Sequence, residues 1–147
     1  MRAGILGPFG PVSLVEEDGR LQALEWRLPE APDESPLLAE GLAQLQAYFA
    51  GRLTRFDLPV EWGTGLNAAV RHAMAEIPYG ETRTYGQIAK AVGAAAQAVG
   101  QACGANRLPI IIPCHRVTGT DWFGGFSAPG GVETKAALLR HEGALLL

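Results

Sequence analysis

The sequence predicts an α/β fold of the α+β kind: a small N-terminal sheet-plus-helix lobe, then a mostly helical C-terminal domain with a helix-turn-helix and the candidate active-site cysteine. Three observations carry this. Strand-like alternation of apolar residues is concentrated in the first thirty positions, helical spacing dominates from residue 66 onward, and a late apolar run ends in Cys114-His115. At 147 residues the chain is long enough for one solid core or for a small lobe packed on a larger one.

The elements follow in order. Val12 and Leu14, then Leu21, Leu24 and Trp26, alternate on either side of Glu16-Glu17-Asp18-Gly19, which predicts a hairpin. The stretch from Pro29 to Pro36 is polar and proline-rich, a connector. Leu37, Leu38, Leu42, Leu45, Tyr48 and Phe49 recur at helical spacing until Gly51 stops the helix. Phe56, Leu58 and Val60 alternate again and predict a short strand, and with it the N-terminal lobe, residues 1–61, is complete. The second region, residues 62–147, opens with the turn Trp62-Gly63-Thr64-Gly65 and a helix through Leu66, Val70, Met74 and Ile77, ended by Pro78-Tyr79-Gly80. Thr82 or Thr84 is placed to cap a helix through Tyr85, Ile88, Ala89 and Val92, which Gly93 stops. A further helix spans roughly Ala94 to Gly104, and two short helices around a glycine turn outline a helix-turn-helix. That second helix has little side-chain bulk, with Ala94, Ala95, Ala96, Ala98, Gly100 and Ala102. Close packing on neighbours explains such a helix; so does close approach to a narrow groove without base reading, since only Gln97 and Gln101 could reach base edges.

Composition narrows the function. The chain is 48% hydrophobic and 18% charged, an ordinary globular balance, with no stretch approaching a membrane span and no secretory leader, which predicts a cytoplasmic protein. Two cysteines, Cys103 and Cys114, make no disulfide framework, and with only His72, His115 and His141 beside them no spacing resembles a zinc site, so neither metal nor cofactor is expected. The net charge is −3, but unevenly placed: residues 1–60 carry five Lys or Arg against nine Asp or Glu, and residues 61–147 seven against six. A polyanion is therefore expected to meet the second region, with Arg83, Lys90, Arg107 and Arg116 as phosphate contacts.

The chemistry concentrates at Ile110-Ile111-Ile112-Pro113-Cys114-His115-Arg116-Val117, read as an apolar strand that delivers a thiol and an imidazole to a proline-stiffened bend. The thiolate is the reactive form of cysteine, and a free thiol with a pKa of about 8.5 needs a base or positive charge nearby. Adjacent strand residues point to opposite faces, so direct contact of Cys114 with His115 is not expected unless the backbone bends.

Together with Asn106 and Pro109, the stretch Ile77-Pro78-Tyr79-Gly80-Glu81-Thr82, the run Tyr85-Gly86-Gln87-Ile88-Ala89, and the ending Lys135 with Leu138-Leu139-Arg140-His141-Glu142-Gly143, this run resembles the O6-alkylguanine-DNA alkyltransferases, also called methylated-DNA-protein-cysteine methyltransferases. The resemblance implies a ribonuclease H-like lobe over residues 1–61 and a DNA-binding, alkyl-acceptor domain over residues 62–147. It implies a monomer that binds duplex DNA containing alkylated guanine through the minor groove. The damaged base is flipped out and its alkyl group passes irreversibly from O6-methylguanine, and from O4-methylthymine as a second candidate, to Cys114. His115 is then the base that takes the thiol proton through a water, Glu142 its orienter, and Asn106 the brace of the bend. Tyr85 resembles the phenol that donates to the flipped base. Pro109, Val117, Phe126 and Ser127 fall at the substrate pocket, and Thr84, Ala95, Ala96, Gln97, Ala98 and Gly100 at the DNA surface. Taken singly, each has a plainer reading: Cys114 as a small buried hydrophobe, Glu142 as a solvated charge, Tyr85 as a core aromatic, Asn106 as a turn residue. Cys103 reads as helix packing, and His72 and His141 as structural or solvated.

Two positions depart from the family pattern. Gln97 stands where the family carries an arginine that fills the gap left by the flipped nucleotide, and a shorter neutral side chain compensates less of the unstacking. Phe126 replaces a tyrosine, and Ala128-Pro129 reads as an insertion beside it. The rival readings are a non-repairing lesion binder like the alkyltransferase-like proteins, which replace the cysteine that this chain keeps, and a cysteine hydrolase, in which the alanine-rich helix-turn-helix has no purpose.

Overall fold

The computed structural model describes residues 1–120, 124–126 and 128–145. The chain divides into two compact units, Met1–Glu61 and Trp62–Leu147.

The first unit is a three-stranded antiparallel sheet in the order β1-β2-β3, with one helix on it: β1 (Arg2–Gly7), β2 (Gly10–Glu17), β3 (Arg20–Glu25) and α1 (Pro36–Phe49). The β2–β3 turn is the two-residue loop Asp18-Gly19, both with positive φ (54° and 75°), as the right-handed twist of a tight hairpin demands. Ser35 caps α1 by accepting from the Leu38 amide at 3.0 Å, and Pro36 occupies the first helical position, where its missing N–H costs nothing. Leu38, Gly41, Leu45 and Tyr48 form the buried stripe of α1. Gly41 lets the helix ride directly on the sheet, because a Cβ on it would lie 2.6 Å from Leu14 Cδ1 and force that side chain to shift. Two features differ from the sequence reading. An additional strand, β1, pairs with β2 from Arg2↔Val15 to Gly7↔Gly10. The strand expected over Phe56–Val60 shrinks to a single parallel bridge, Leu21↔Val60, because Pro59 lacks an N–H and only two hydrogen bonds form beside it.

The second unit contains α2 (Gly65–Ala75), β4 (Arg83–Thr84), α3 (Tyr85–Val92), α4 (Ala96–Gly104), a 3-10 turn (Cys114–Arg116), β5 (Val117–Thr118) and α5 (Val132–His141). Helices α2, α3 and α4 pack on one another through Val70, Met74, Ile88, Ala89, Val99 and Ala102. Of the two candidate caps for α3, Thr84 serves. Its hydroxyl accepts from the Gln87 amide at 3.1 Å and the Gln87 side chain accepts from the Thr84 amide at 2.8 Å, a reciprocal capping box. Gly93 ends α3 in the left-handed conformation (φ 71°), and α4 follows after a short turn, beginning at Ala96, two residues later than its alanine run suggests, with no side chain capping its first turn. The two-residue pair β4–β5 is parallel, Arg83↔Val117 and Thr84↔Thr118. It fixes the start of α3 beside the segment that leaves Cys114.

Candidate active site

The bend that carries the thiol is built from turns. Ile110, Ile111 and Ile112 are not the expected strand: Ile111 N–H bonds to the Pro109 carbonyl (2.9 Å) and Ile112 N–H to the Leu108 carbonyl (2.9 Å), and Ile110 has φ 73°. The β-branched run misleads because its apolar bulk serves burial, all three isoleucines being buried, rather than sheet pairing. A β-branched residue at positive φ costs on the order of 1–3 kcal/mol and persists only where its surroundings fix it. Asn106, just past the end of α4, supplies part of that fixing. Its Nδ2 donates to the Ile112 carbonyl at 2.9 Å, while its Oδ1 accepts from the Leu108 amide at 3.1 Å, spanning the turn from inside. Pro113 (φ −79°, ψ 68°) then centres an inverse γ-turn closed by Cys114 N–H to the Ile112 carbonyl at 2.7 Å. The 3-10 turn begins at Cys114, and with three residues per turn it sends successive side chains about 120° apart. The half-buried thiol therefore faces a cavity while the imidazole of His115 is wholly buried.

Behind the thiol lies a buried charge cluster. His115 Nε2 is 2.8 Å from Glu142 Oε2, and Glu142 stands at the C-terminal end of α5. Arg116 grips the same carboxylate with two bonds, Nε to Oε1 at 2.8 Å and Nη2 to Oε2 at 2.9 Å, and its Nη1 donates to the Ile77 carbonyl at 2.7 Å. A carboxylate only accepts, so the Nε2 of neutral His115 carries the proton and Nδ1 keeps its lone pair. Nδ1 is buried and has no hydrogen-bond partner among the described residues. Burial pushes the His115 pKa below its usual value, the charges of Arg116 and Lys135 push the same way, and Glu142 opposes them. The imidazole is thus neutral at pH 7, oriented, and open at one nitrogen. Arg116 is not the phosphate contact expected of it, because Glu142 and Ile77 use its guanidinium inside the core.

Cys114 lines a cavity of about 180 Å³ with Tyr85, Gly100, Cys103, Gly104, Asn106, Pro109, Gly125 and Phe126. Of the residues expected at the pocket, Tyr85, Pro109 and Phe126 are on its wall. Val117 is fully buried and is not among the lining residues; its carbonyl accepts from Lys135 Nζ at 2.6 Å. Ser127 and Phe123 lie outside the described residues. Cys103, read as helix packing, packs with its sulfur 3.7 Å from Met74 Sδ and also lines the cavity. Gly124 (φ 79°) is compelled by closeness as well as by φ, since a Cβ there would lie 2.3 Å from the Tyr85 hydroxyl. Burial pushes the Cys114 thiol pKa up, while the Asn106 hydrogen bond and the Lys135 charge pull it back. Burial sends Cys103 up to about 12, which leaves it a weaker nucleophile at neutral pH.

Beside the cavity is a groove of about 560 Å³ that shares Tyr85, Gly100 and Gly125 with it and is lined besides by Thr84, Gly86, Ala96, Gln97, Gly119 and Thr120. Ala95, Ala96 and Gln97 are exposed at the start of α4, and Ala98 and Gly100 are half-buried. Lys90 and Arg107 are exposed, and Arg83 pairs with Glu81 at 3.1 Å. Among the described residues no group of three or more His, Cys, Asp or Glu side chains could hold a metal ion, and no helix is long and apolar enough to cross a membrane. Sequence reading missed Lys135 and Arg116 as parts of this site. The signal for Lys135 was its spacing, three and four residues before Leu138 and Leu139, on the buried face of α5.

Comparison with known proteins covers both units. Residues 66–144 match the family model described as the DNA binding domain of 6-O-methylguanine DNA methyltransferase, and residues 7–62 match that of its ribonuclease-like domain. The methylated-DNA--protein-cysteine methyltransferase of Methanosarcina acetivorans is 40% identical over 149 residues, covering 93% of this chain and 94% of that protein. The constitutive enzyme of that name from Bacillus subtilis is 41% identical, covering 92% and 90%. The crystal structure of Mycobacterium tuberculosis OGT in complex with DNA is similar at a TM-score of 0.82 and 40% identity, covering 96% of this chain and 92% of that one. A cysteine facing a cavity, a buried histidine–glutamate pair behind it and these matches along nearly the whole length agree: the chain belongs to the 6-O-methylguanine DNA methyltransferase family.

Proposed function

We propose that this protein repairs DNA by moving the alkyl group of O6-methylguanine irreversibly onto Cys114, with O4-methylthymine as a second substrate, after the damaged base has left the duplex through the groove along α4. The single observation that carries the reading is the split at the 3-10 turn: Cys114 faces a cavity that shares Tyr85, Gly100 and Gly125 with that groove, while its neighbour His115 is buried against Glu142.

The step balances within these groups. His115 Nδ1 takes the thiol proton through a water, and the resulting imidazolium is held by Glu142, whose charge Arg116 keeps in place. The thiolate attacks the alkyl carbon; a C–S bond forms as the C–O bond breaks, and the electron pair goes to the guanine ring. Tyr85, on the cavity wall, donates a hydrogen bond to the base as that charge develops. Asn106 braces the turn, Pro109 and Phe126 shape the pocket, and Val117 supports it from behind through its bond to Lys135. The thioether has no good leaving group, so one chain repairs one lesion. Displacement at carbon by a thiolate uses neither metal nor cofactor.

Thr84, Ala95, Ala96, Gln97, Ala98 and Gly100 form the DNA surface in this reading, where side chains too small to obstruct let α4 approach the backbone and its uncapped first-turn N–H groups can meet a phosphate. The DNA-binding and acceptor roles belong to residues 62–147 and the ribonuclease-like lobe to residues 1–61. The protein works as a monomer in the cytoplasm. A lesion sensor that binds without transfer is less favoured, because Cys114 and the His115–Glu142 pair are all in place. Incubation with duplex DNA containing O6-methylguanine, followed by intact mass, tests the choice. A gain of one methylene, absent in Cys114→Ser, is the expected result; tight lesion binding at unchanged mass would establish the sensor instead.

A further inference from the structure

We propose that Arg71 is a positioning residue of the transfer reaction: buried on α2, its guanidinium fixes the peptide that precedes Asn106 and so holds the Asn106 side chain against the turn that carries Cys114. The inference rests on the reading of Cys114 as the alkyl acceptor.

A buried guanidinium has given up hydration, and the other buried residues of α2 are the apolar Val70 and Met74. An apolar side chain would pack at position 71 at lower cost. Arg71 instead reaches the end of α4, where its Nη2 donates to the Ala105 carbonyl at 3.1 Å. Ala105 is the C-cap of α4, and the last carbonyls of a helix have no donor within it. A cation is also favoured there by the negative end of the helix dipole. Arg71 Nη1 lies by Gly63 (φ 82°), so close that a Cβ on that glycine would stand 3.3 Å from it. One terminal nitrogen thus meets the turn that opens the second unit, and the other meets the end of α4.

The carbonyl that Arg71 holds has a particular neighbour. It belongs to the same peptide unit as the Asn106 N–H, which bonds to the Cys103 carbonyl at 3.2 Å. That planar unit is therefore tied at both ends, and with it the direction in which Asn106 leaves α4. From there Asn106 Nδ2 reaches the Ile112 carbonyl at 2.9 Å and Oδ1 the Leu108 amide at 3.1 Å. The Asn106 side chain also bonds the Cys114 thiol and draws its pKa down against the burial that raises it. Apart from this amide, the groups that face Cys114 are Lys135 from α5, Cys103 from α4 and Tyr85 from α3, while His115, Arg116 and Glu142 lie behind the turn. Arg71 does not line the cavity, and its influence on the thiol passes through Asn106 rather than through its own charge. Packing alone would need the bulk of Arg71; positioning needs its bond to Ala105.

The test uses the full chain and iodoacetamide, a small electrophile that needs no DNA, so that failure of the repair reading and failure of this inference are distinguishable. Carboxamidomethylation of Cys114 is followed against pH by peptide mass in wild type, Arg71→Met, Asn106→Ala and the double variant. Methionine keeps much of the bulk without the donor. The expected result is a labelling midpoint about half a pH unit higher in Arg71→Met, read as about threefold slower labelling at pH 7, with no further displacement when Arg71→Met is added to Asn106→Ala. Equal midpoints in wild type and Arg71→Met, or the same displacement in both backgrounds, would overturn the proposal, because a residue that only packs acts independently of Asn106. Should Asn106→Ala fail to fold, hydrogen exchange decides: the Leu108 amide should exchange about tenfold faster in Arg71→Met when referred to the amides of α3, and an unchanged ratio overturns the proposal. Arg71→Leu, judged by the same readings, replaces Arg71→Met if that variant fails.

Discussion

The two units bury different things. Among the described residues, the buried polar or charged residues are Ser13 in Met1–Glu61 and Arg71, Asn106, His115, Arg116, Lys135 and Glu142 in Trp62–Leu147. The first unit is held by Leu14, Leu21, Leu38, Leu45 and Tyr48, and its ion pairs, such as Arg20–Glu61, are at the surface, where each contributes little. The second unit places charges where hydration is lost, and an apolar replacement of comparable shape is often neutral or stabilising. The proposed transfer gives such a cluster a use: a thiol made reactive needs a base and an orienter, and each acts more strongly out of water. On the proposed function, the burial of charge, more than the presence of a pocket, marks the half of the molecule that does the chemistry.

That contrast can be broken by substitution, starting with the largest effect. Glu142→Gln removes the carboxylate from both His115 and Arg116. Leaving that guanidinium buried and uncompensated should cost about 3–5 kcal/mol in chemical denaturation, with methyl transfer falling by orders of magnitude. Leu45→Ala, in the first unit, should cost a comparable 2–5 kcal/mol, yet leave the pH midpoint of Cys114 labelling where it was. If both variants displace that midpoint equally, the division of labour fails. Smaller in energy is Thr84→Ala, which removes the cap of α3 for about 1 kcal/mol and, because Tyr85 follows directly, should slow transfer beyond what lost stability explains.

Acid sharpens the same comparison. The His115 pKa lies below its ordinary 6.5, so protonation is harder in the folded chain than in the unfolded one. Stability tied to this group is fully present above pH 6.5 and is lost as pH falls from there through the lower folded pKa. Single-turnover transfer should hold through pH 6.5 and decline only at more acid pH. A decline centred at or above 6.5 would assign the limb to another group. The smallest effect is expected at the groove, where Gln97→Arg should speed repair of duplex substrate by providing a guanidinium for the gap left by the flipped base, without altering Cys114 labelling. No gain in repair rate would sink that idea.

Local chemistry was readable from sequence, and long-range pairing was not. The turn within Glu16-Glu17-Asp18-Gly19, a threonine cap for α3 at Thr82 or Thr84, the Gly93 stop and the Cys114-His115 pair are each decided by neighbours a few residues apart, and the structure selects Asp18-Gly19 and Thr84. Asn106 as brace and Glu142 as orienter were reached through the family resemblance, and the geometry gives each a specific bonding pattern. Ile110 to Ile112 misled because a β-branched run looks the same whether it pairs in a sheet or plugs a core; only the turn bonds and the positive φ of Ile110 separate the two. Arg116 and Lys135 escaped for a different reason. Exposed, they would be ordinary surface cations, and their burial depends on partners 26 and 18 residues away in Glu142 and Val117. The small side chains of α4 suit close packing and close approach to DNA alike, and Ala96, Gln97 and Gly100 line a groove.

Because two thiols line one cavity, the most direct test is to locate the methyl group. After single-turnover reaction with duplex DNA containing O6-methylguanine, peptide mapping should find one S-methylcysteine per chain, at Cys114, with Cys103 unmodified. A methyl group on Cys103, or DNA demethylated with neither cysteine modified, would contradict the account.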